Sequence, residues 1–256
     1  MLTRIARKHP GPKRVLAQIR RLENGLNRMK LAPATHLYRN AVLLGLISKA
    51  LTVGRAVCVS VENGLLAEAF GLSRTMVEIY FCVRYIGNKH SEIRATTYVE
   101  YQAKVKQEWS KLTAKYYPTH PAASFVLDPH ILKTAEKFPL KGAWTGHGGQ
   151  ARMMALEPDS REPVEDEKIL GFDIDVMYFW TSQFVHATVA GLDGHGSIPG
   201  EPFRVRPTRS KERRYARLSL MNGVSSLVKI FILAFRAMNE DQPKEVDQAF
   251  RMLEKF

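Results

Sequence analysis

The sequence predicts an all-α protein, a helical bundle with two excursions rich in glycine and proline. Apolar residues recur at alternating steps of four and three along most of the chain, which is the pattern of amphipathic helices. No stretch shows the strict two-residue alternation of a half-buried strand. Several periodic segments have a proline in their first turn, a position that favours helix entry. With 256 residues, 45% of them hydrophobic, the chain is long enough to bury a substantial core.

The pattern divides the chain into a basic N-terminal helix, residues 1–34, and a single bundle domain, residues 35–256. The first helix begins at Pro12 and has a narrow apolar seam, while its other faces are basic. A second helix is expected from about Thr35 to Val53. The seam of the first helix consists of Pro12, Val15, Ile19, Leu22, Leu26 and Met29.

A third helix, Leu65 to Ile86, carries apolar residues on two opposite faces, which predicts the buried central element of the bundle. Arg74 and Glu78 lie in the middle of its second face, between Phe70 and Phe81, and should be at least partly buried. Buried charges at i and i+4 tend to be paired, but arginine before glutamate is the less favoured order for a local helix pair. A third polar partner is therefore expected.

The second half of the chain alternates helices with irregular segments. A long amphipathic helix is expected from Ser91 to Tyr116, and a short one from Pro129 to about Phe138 with Asp128 as its N-cap. Residues 139–173 are rich in glycine and proline and predict a surface excursion or lid, with a short helix near 151–156. The second excursion runs from residue 191 to 214.

Three more helices are expected on either side of that second excursion. One runs from Asp173 to about Ala190, one from about Leu220 to Met238, and a short last one follows Asp241. The helix from Asp173 places Asp175, Ser182 and His186 on one stripe. Asp175 and His186 are roughly 16 Å apart along the helix axis at 1.5 Å per residue, which excludes a hydrolytic triad.

His186 is therefore interpreted through its surroundings rather than as half of a Ser–His pair. It lies among apolar residues, so it is either a core histidine satisfied by hydrogen bonds or a partner of Arg74 and Glu78 across the bundle. A histidine beside a buried glutamate has a stabilised cationic form and could act as a general acid. The candidate site is the cluster Arg74, Glu78, Ser182 and His186.

The sequence contains two other kinds of candidate site. Small helical RNases of the HEPN class use an arginine followed after four to six residues by a histidine, and Arg84 to His90 and Arg4 to His9 fit that spacing. About two such matches are expected by chance, so the pattern alone decides nothing. His147 and His195 lie in glycine-rich loops, and the eight histidines offer no His-x-x-x-His motif, so we expect no metal site and no cofactor.

The formal charge of +13 is concentrated in two segments. Residues 4–30 hold nine Lys or Arg against Glu23, and residues 204–217 hold seven against Glu212. Such clusters suit nucleic acid or another anionic partner, although a solvated basic face would look the same. Cys58 and Cys82 lie among apolar residues, which fits a reducing compartment. With no signal-like N-terminus and no membrane span expected, the prediction is a cytoplasmic protein whose partners are nucleic acid and a further copy of the chain.

Several short motifs, in this order, resemble those of a bacterial family of unknown function, number fifty-six seventy-seven. The first is the helical motif A-x-x-L-x-R-x-x-x-E, whose last two defined residues are Arg74 and Glu78. The others are Trp144-Thr-Gly and Tyr178-x-x-x-Ser182-x-x-x-His186. The likeness would cover about residues 40 to 240. It implies a helical bundle and marks these site residues, but it implies no activity. Two functions stay open: a HEPN-like RNase of defence or stress response, and a non-enzymatic scaffold that binds nucleic acid or protein.

Overall fold

The computed structural model describes residues 11–28, 37–121, 123, 129–138, 144–145, 154, 178, 209–239, 241 and 244–253. These residues form seven helices and no strand, which confirms the all-α prediction. The helices are α1 (Pro12–Arg28), α2 (Leu37–Glu62), α3 (Leu66–Asn88), α4 (Ser91–Tyr116), α5 (Pro129–Glu136), α6 (Arg209–Met238) and α7 (Lys244–Leu253).

Helix α3 is the central element, since it packs against α2, α4 and α6. One of its faces buries Met76 and Ile79, and the opposite face buries Phe70 and Phe81. A helix that is apolar on two sides is stable only when neighbours cover both, as they do here. The two helices pack closely at Gly87 of α3, where an added β-carbon would lie only 3.0 Å from that of Ala237 in α6.

Helix α1 joins the same core through Val15, Ile19 and Leu22, which are almost fully buried. This packing explains why α2 is longer than the sequence predicts. The sequence predicts that it ends at about Val53, but α2 continues to Glu62. Gly54 lies under α1, with a β-carbon position 3.2 Å from Ile19 Cδ1. The glycine therefore permits close packing of two helices and does not end one.

Two expectations about the excursions are corrected. Residues 209–214 belong to α6 and not to the second loop, so the helix begins well before Leu220. The first excursion is not confined to the surface, because Trp144 and Met154 belong to the core cluster. Trp144 packs edge-on against Tyr85 and Tyr98, and apolar contacts of this size bury the ring. Apart from Met154 and Tyr178, the helices predicted at 151–156 and 173–190 lie outside the described residues.

The start of α2 is capped by a side chain from α4. Glu92 accepts hydrogen bonds from the backbone N–H groups of Tyr38 and Arg39, each at 3.1 Å, one on each carboxylate oxygen. A carboxylate at a helix N-terminus satisfies donors that have no partner within the helix and suits the helix dipole. Just before α4, His90 takes the left-handed conformation with φ of 47°, which turns the chain between α3 and α4.

Two of the helices are long and apolar enough to cross a membrane by length and composition alone: Tyr38–Glu62 and Ala216–Met238. The sequence analysis predicts no such segment, so these two helices were not expected. In their most apolar windows, 50% and 67% of the residues are buried within the bundle. The central helices of a bundle have the same composition, so these two helices are weak evidence for a membrane.

Candidate functional site

The site begins with an ion pair on the second face of α3. Arg74 Nε lies 3.0 Å from Glu78 Oε1, one helical turn further on. The Arg74 side chain is 17% exposed and that of Glu78 is 41% exposed. Both charges are thus partly buried, as the sequence predicts, and the glutamate reaches solvent.

The sequence predicts a third polar partner for this pair and offers His186 in that role; among the described residues the partner is Tyr178. Arg74 donates a hydrogen bond from Nη2 to the Tyr178 hydroxyl at 3.1 Å, and that hydroxyl donates to Glu78 Oε1 at 3.5 Å. The guanidinium carbon also lies 5.0 Å from the centre of the Tyr178 ring, within cation–π range. The ring itself packs against Phe81. Tyr178 therefore ties the chain after the first excursion to the middle of α3.

One turn beyond Glu78, the site continues with Cys82 and Trp144. Burial, and to a lesser extent the Glu78 carboxylate, raises the pKa of Cys82 to about 12. Lys49 and a hydrogen bond with Trp144 act in the other direction and lower the pKa of Cys82 in part. Burial, reinforced by Cys82, also raises the pKa of Tyr98 to about 12. At neutral pH these groups are protonated and are poor nucleophiles.

The side chains of this cluster can hold one another in place by hydrogen bonds and charge. The guanidinium of Arg74 is engaged by Glu78 and Tyr178, so its charge is balanced within the protein. Across the stretches that the structure describes, no group of three or more His, Cys, Asp or Glu side chains could hold a metal ion. The cluster is a set of hydrogen bonds that holds Tyr178 against α3, and it is open to solvent at Glu78.

The structure does not place the other predicted site residues in this cluster. Ser182 and His186 lie outside the described residues, so their place in the cluster stays a prediction. Of the two HEPN-like matches, Arg4 to His9 also lies outside them. In the second match, Arg84 is 4% exposed and donates to the Met154 carbonyl at 3.4 Å, whereas His90 is exposed at the start of α4. The two side chains differ in burial and face different surroundings, which does not favour a catalytic pair.

The sequence analysis did not assign Cys82 or Trp144 to the site: it interpreted Cys82 as a buried apolar residue and Trp144 only as part of a family motif. Cys82 follows Glu78 by four residues, a spacing that places both on one helix face. That signal could have found it. Trp144 reaches α3 and α4 only through tertiary packing, and no local pattern predicts such a contact.

A family model described as a family of unknown function, DUF5677, matches residues 40–201, well over half of the chain. This match agrees with the resemblance inferred from the motifs, although it ends before residue 240. It contains the whole Arg74 cluster, but it excludes α1, α6 and α7. Comparison with curated proteins and with solved structures gave no match.

Proposed function

Since the chain belongs to DUF5677, whose function is unknown, we propose its role from its own surface: it is a non-enzymatic protein that binds nucleic acid through two basic helical segments. The observation that carries this proposal is that α1, with five exposed cations, lines one small apolar cavity together with α6, which carries the exposed Arg217 some 200 residues further along the sequence. Both lie outside the residues that the family model matches, so the binding surface would be a feature of this chain.

Helix α1 supplies the first half of that surface. Its five cations, Lys13, Arg14, Arg20, Arg21 and Arg28, are all exposed, because the apolar seam occupies the face towards the core. Its one acid, Glu23, is paired with Arg55 of α2 at 3.0 Å. The exposed face is therefore strongly positive, as phosphate binding requires.

Helix α6 supplies the second half. Val15 of α1 and Leu220 of α6 line one small apolar cavity between the helices. Arg14 is the neighbour of Val15, and Arg217 precedes Leu220 by about one turn, or roughly 5 Å; both are exposed. Residues 209–217 continue α6 beyond this point and include five Lys or Arg against Glu212. Arg14 and Arg217 are thus both near the place where α1 and α6 pack together, and the basic residues 209–214 precede it on α6.

The test is binding of a fluorescent 30-nucleotide RNA, with single-stranded and duplex DNA of the same sequence as further arms. If about five phosphates are contacted, log K should fall with log salt at a slope of about −3.5 for single strands and −4.5 for duplex. Arg20→Glu combined with Arg21→Glu, and separately Arg217→Glu, should weaken binding at least tenfold and reduce the slope. Lys133→Glu, an exposed charge reversal on α5, is the matched control.

Three results would contradict the proposal: no binding at 50 mM salt, binding that salt does not weaken, or equal loss in the Lys133→Glu control. The same RNA assay tests the RNase alternative. Cleavage by the wild type that is lost in a folded His186→Ala or Arg84→Ala variant would show a nuclease, and the non-enzymatic proposal would then be wrong.

A further inference from the structure

The C-terminal half of α4 turns an apolar stripe outward. Val105, Trp109, Leu112 and Tyr116 are between 51% and 65% exposed. At 100° per residue these four side chains fall within an arc of about 60°. They are spaced by four, three and four residues, which is the seam of a helix that packs against another helix.

The opposite side of the same segment is polar yet buried. Gln107 and Ser110 face the bundle, and the Ser110 hydroxyl donates to the Ala123 carbonyl at 2.9 Å. The usual arrangement of an amphipathic surface helix, apolar inward and polar outward, is thus inverted here. The exposure of these apolar side chains to water costs free energy, and a partner that covered them would remove that cost.

The first turns of this stripe are already covered within the chain. Tyr98 packs edge-on against Trp144, and Tyr101 packs edge-on against Phe138. The exposed part begins one turn later, at Val105. The outward surface is therefore the continuation of an established helix-packing seam and not a scatter of single apolar residues.

We propose that this stripe is the interface of a homodimer, in which α4 of one copy packs antiparallel against α4 of a second copy. A two-fold axis between positions 109 and 112 puts Trp109 against the partner's Leu112, and Val105 against the partner's Tyr116. Such an interface is self-complementary, because each contact occurs twice.

The charges beside the stripe fit this antiparallel register. It brings Glu108 next to the partner's Lys115, and symmetry repeats the pair. Lys106 meets the partner's Thr113, so no like charges face each other across the seam. Lys104 and Lys111 hold the Glu108 carboxylate on this flank, at 3.3 and 3.8 Å. A parallel pairing would place Glu108 opposite threonine and would lose the charge match.

The exposed area is sufficient for a reversible dimer. The four stripe residues would bury about 100 Å² each on average, half or more of a large side chain. The two copies together would bury about 800 Å², which is in the range of small, weak and reversible interfaces. A dissociation constant in the micromolar range is therefore expected.

The experiment measures the mass of the full chain by sedimentation equilibrium between 1 and 200 µM. The wild type should pass from monomer to dimer over this range, and Leu112→Glu should stay monomeric with an unchanged far-ultraviolet spectrum. Ile93→Glu is the matched control, since Ile93 is 66% exposed on α4 but lies about 130° away from the stripe. It should dimerise like the wild type.

Charge exchange tests the register itself. Lys115→Glu alone should weaken the dimer about tenfold, because both ion pairs become repulsions. Adding Glu108→Lys to the same chain should restore it. A wild type that is monomeric throughout, a dimer that survives Leu112→Glu, or a double variant no tighter than Lys115→Glu would each overturn the proposal. So would a monomer that uses Leu112 to bind vesicles of anionic lipid.

Discussion

Replacing Tyr178 with phenylalanine removes a single hydroxyl from the Arg74 cluster and keeps the ring that packs on Phe81. The hydroxyl accepts a bond from Arg74 at 3.1 Å and donates a longer one to Glu78 at 3.5 Å. A hydrogen bond to a charged group contributes about 1.5–3 kcal/mol. Because Glu78 is 41% exposed, water can replace the longer bond. We therefore expect a loss near the lower end, about 1.5 kcal/mol, or roughly tenfold in the unfolding equilibrium.

The assay is urea unfolding followed by circular dichroism at pH 7, in a double-mutant cycle with Arg74→Met. If the hydroxyl acts through the guanidinium, the two losses should not add, and a coupling energy of about 1 kcal/mol is expected. Tyr117→Phe is the matched control, since that side chain is 70% exposed and its hydroxyl should contribute little.

Additive losses, within about 0.3–0.5 kcal/mol, would refute the description of this cluster as a tie between Tyr178 and α3. A different result would revise its role. If Tyr178→Phe left stability unchanged but abolished nucleic-acid binding or cleavage, the cluster would be part of a functional site.

Two further predictions follow from burial and from close packing. Burial and Glu78 raise the pKa of Cys82 from 9.0 to about 12, so the folded state keeps a proton that the unfolded state loses above pH 9. Stability should fall between pH 9 and 12 by up to about 1.4 kcal/mol per pH unit for this group. Urea titrations should show a flatter decline in Cys82→Ser, and equal slopes would contradict the assignment. Gly87→Ala should destabilise by about 1–3 kcal/mol, because the new methyl would meet Ala237 at 3.0 Å. Gly45→Ala on α2 has no atom within 4 Å and should stabilise by roughly 0.5–1 kcal/mol; thermal melts that move both variants in the same direction would refute this reasoning.

The bounds of a helix could be predicted where a local signal marks them. Helix α4 runs from Ser91 to Tyr116 as expected, because its apolar period ends just before Pro118, although the C-terminal part of that period faces outward and not the core. The predicted end of α2, at about Val53, was too early, because the helix continues beneath α1 and that packing depends on residues far away in the sequence. The start of α6 was missed because its first turns are almost entirely charged, and charge without an apolar period is typical of loops as well as of exposed helix ends.

In the candidate site, too, local spacing predicted some features and long-range packing decided the others. The pair Arg74 and Glu78 follows from helical spacing alone, and the poor order of the two charges also indicated a missing partner. The identity of that partner, Tyr178, depends on how a segment 100 residues away packs against α3. Long-range packing also decides that Trp144 enters the core, since its glycine-rich neighbours look like a surface loop.

The capping of α2 by Glu92 bears on the order in which this chain becomes structured. During synthesis at about 5–20 residues per second, the first turn of α2 leaves the ribosome several seconds before Glu92 does. Until then its leading N–H groups must be satisfied by water, and the helix end frays. Only when α4 docks can the carboxylate bind Tyr38 and Arg39. The beginning of α2 and the beginning of α4 should therefore become protected from hydrogen exchange together, as one cooperative unit.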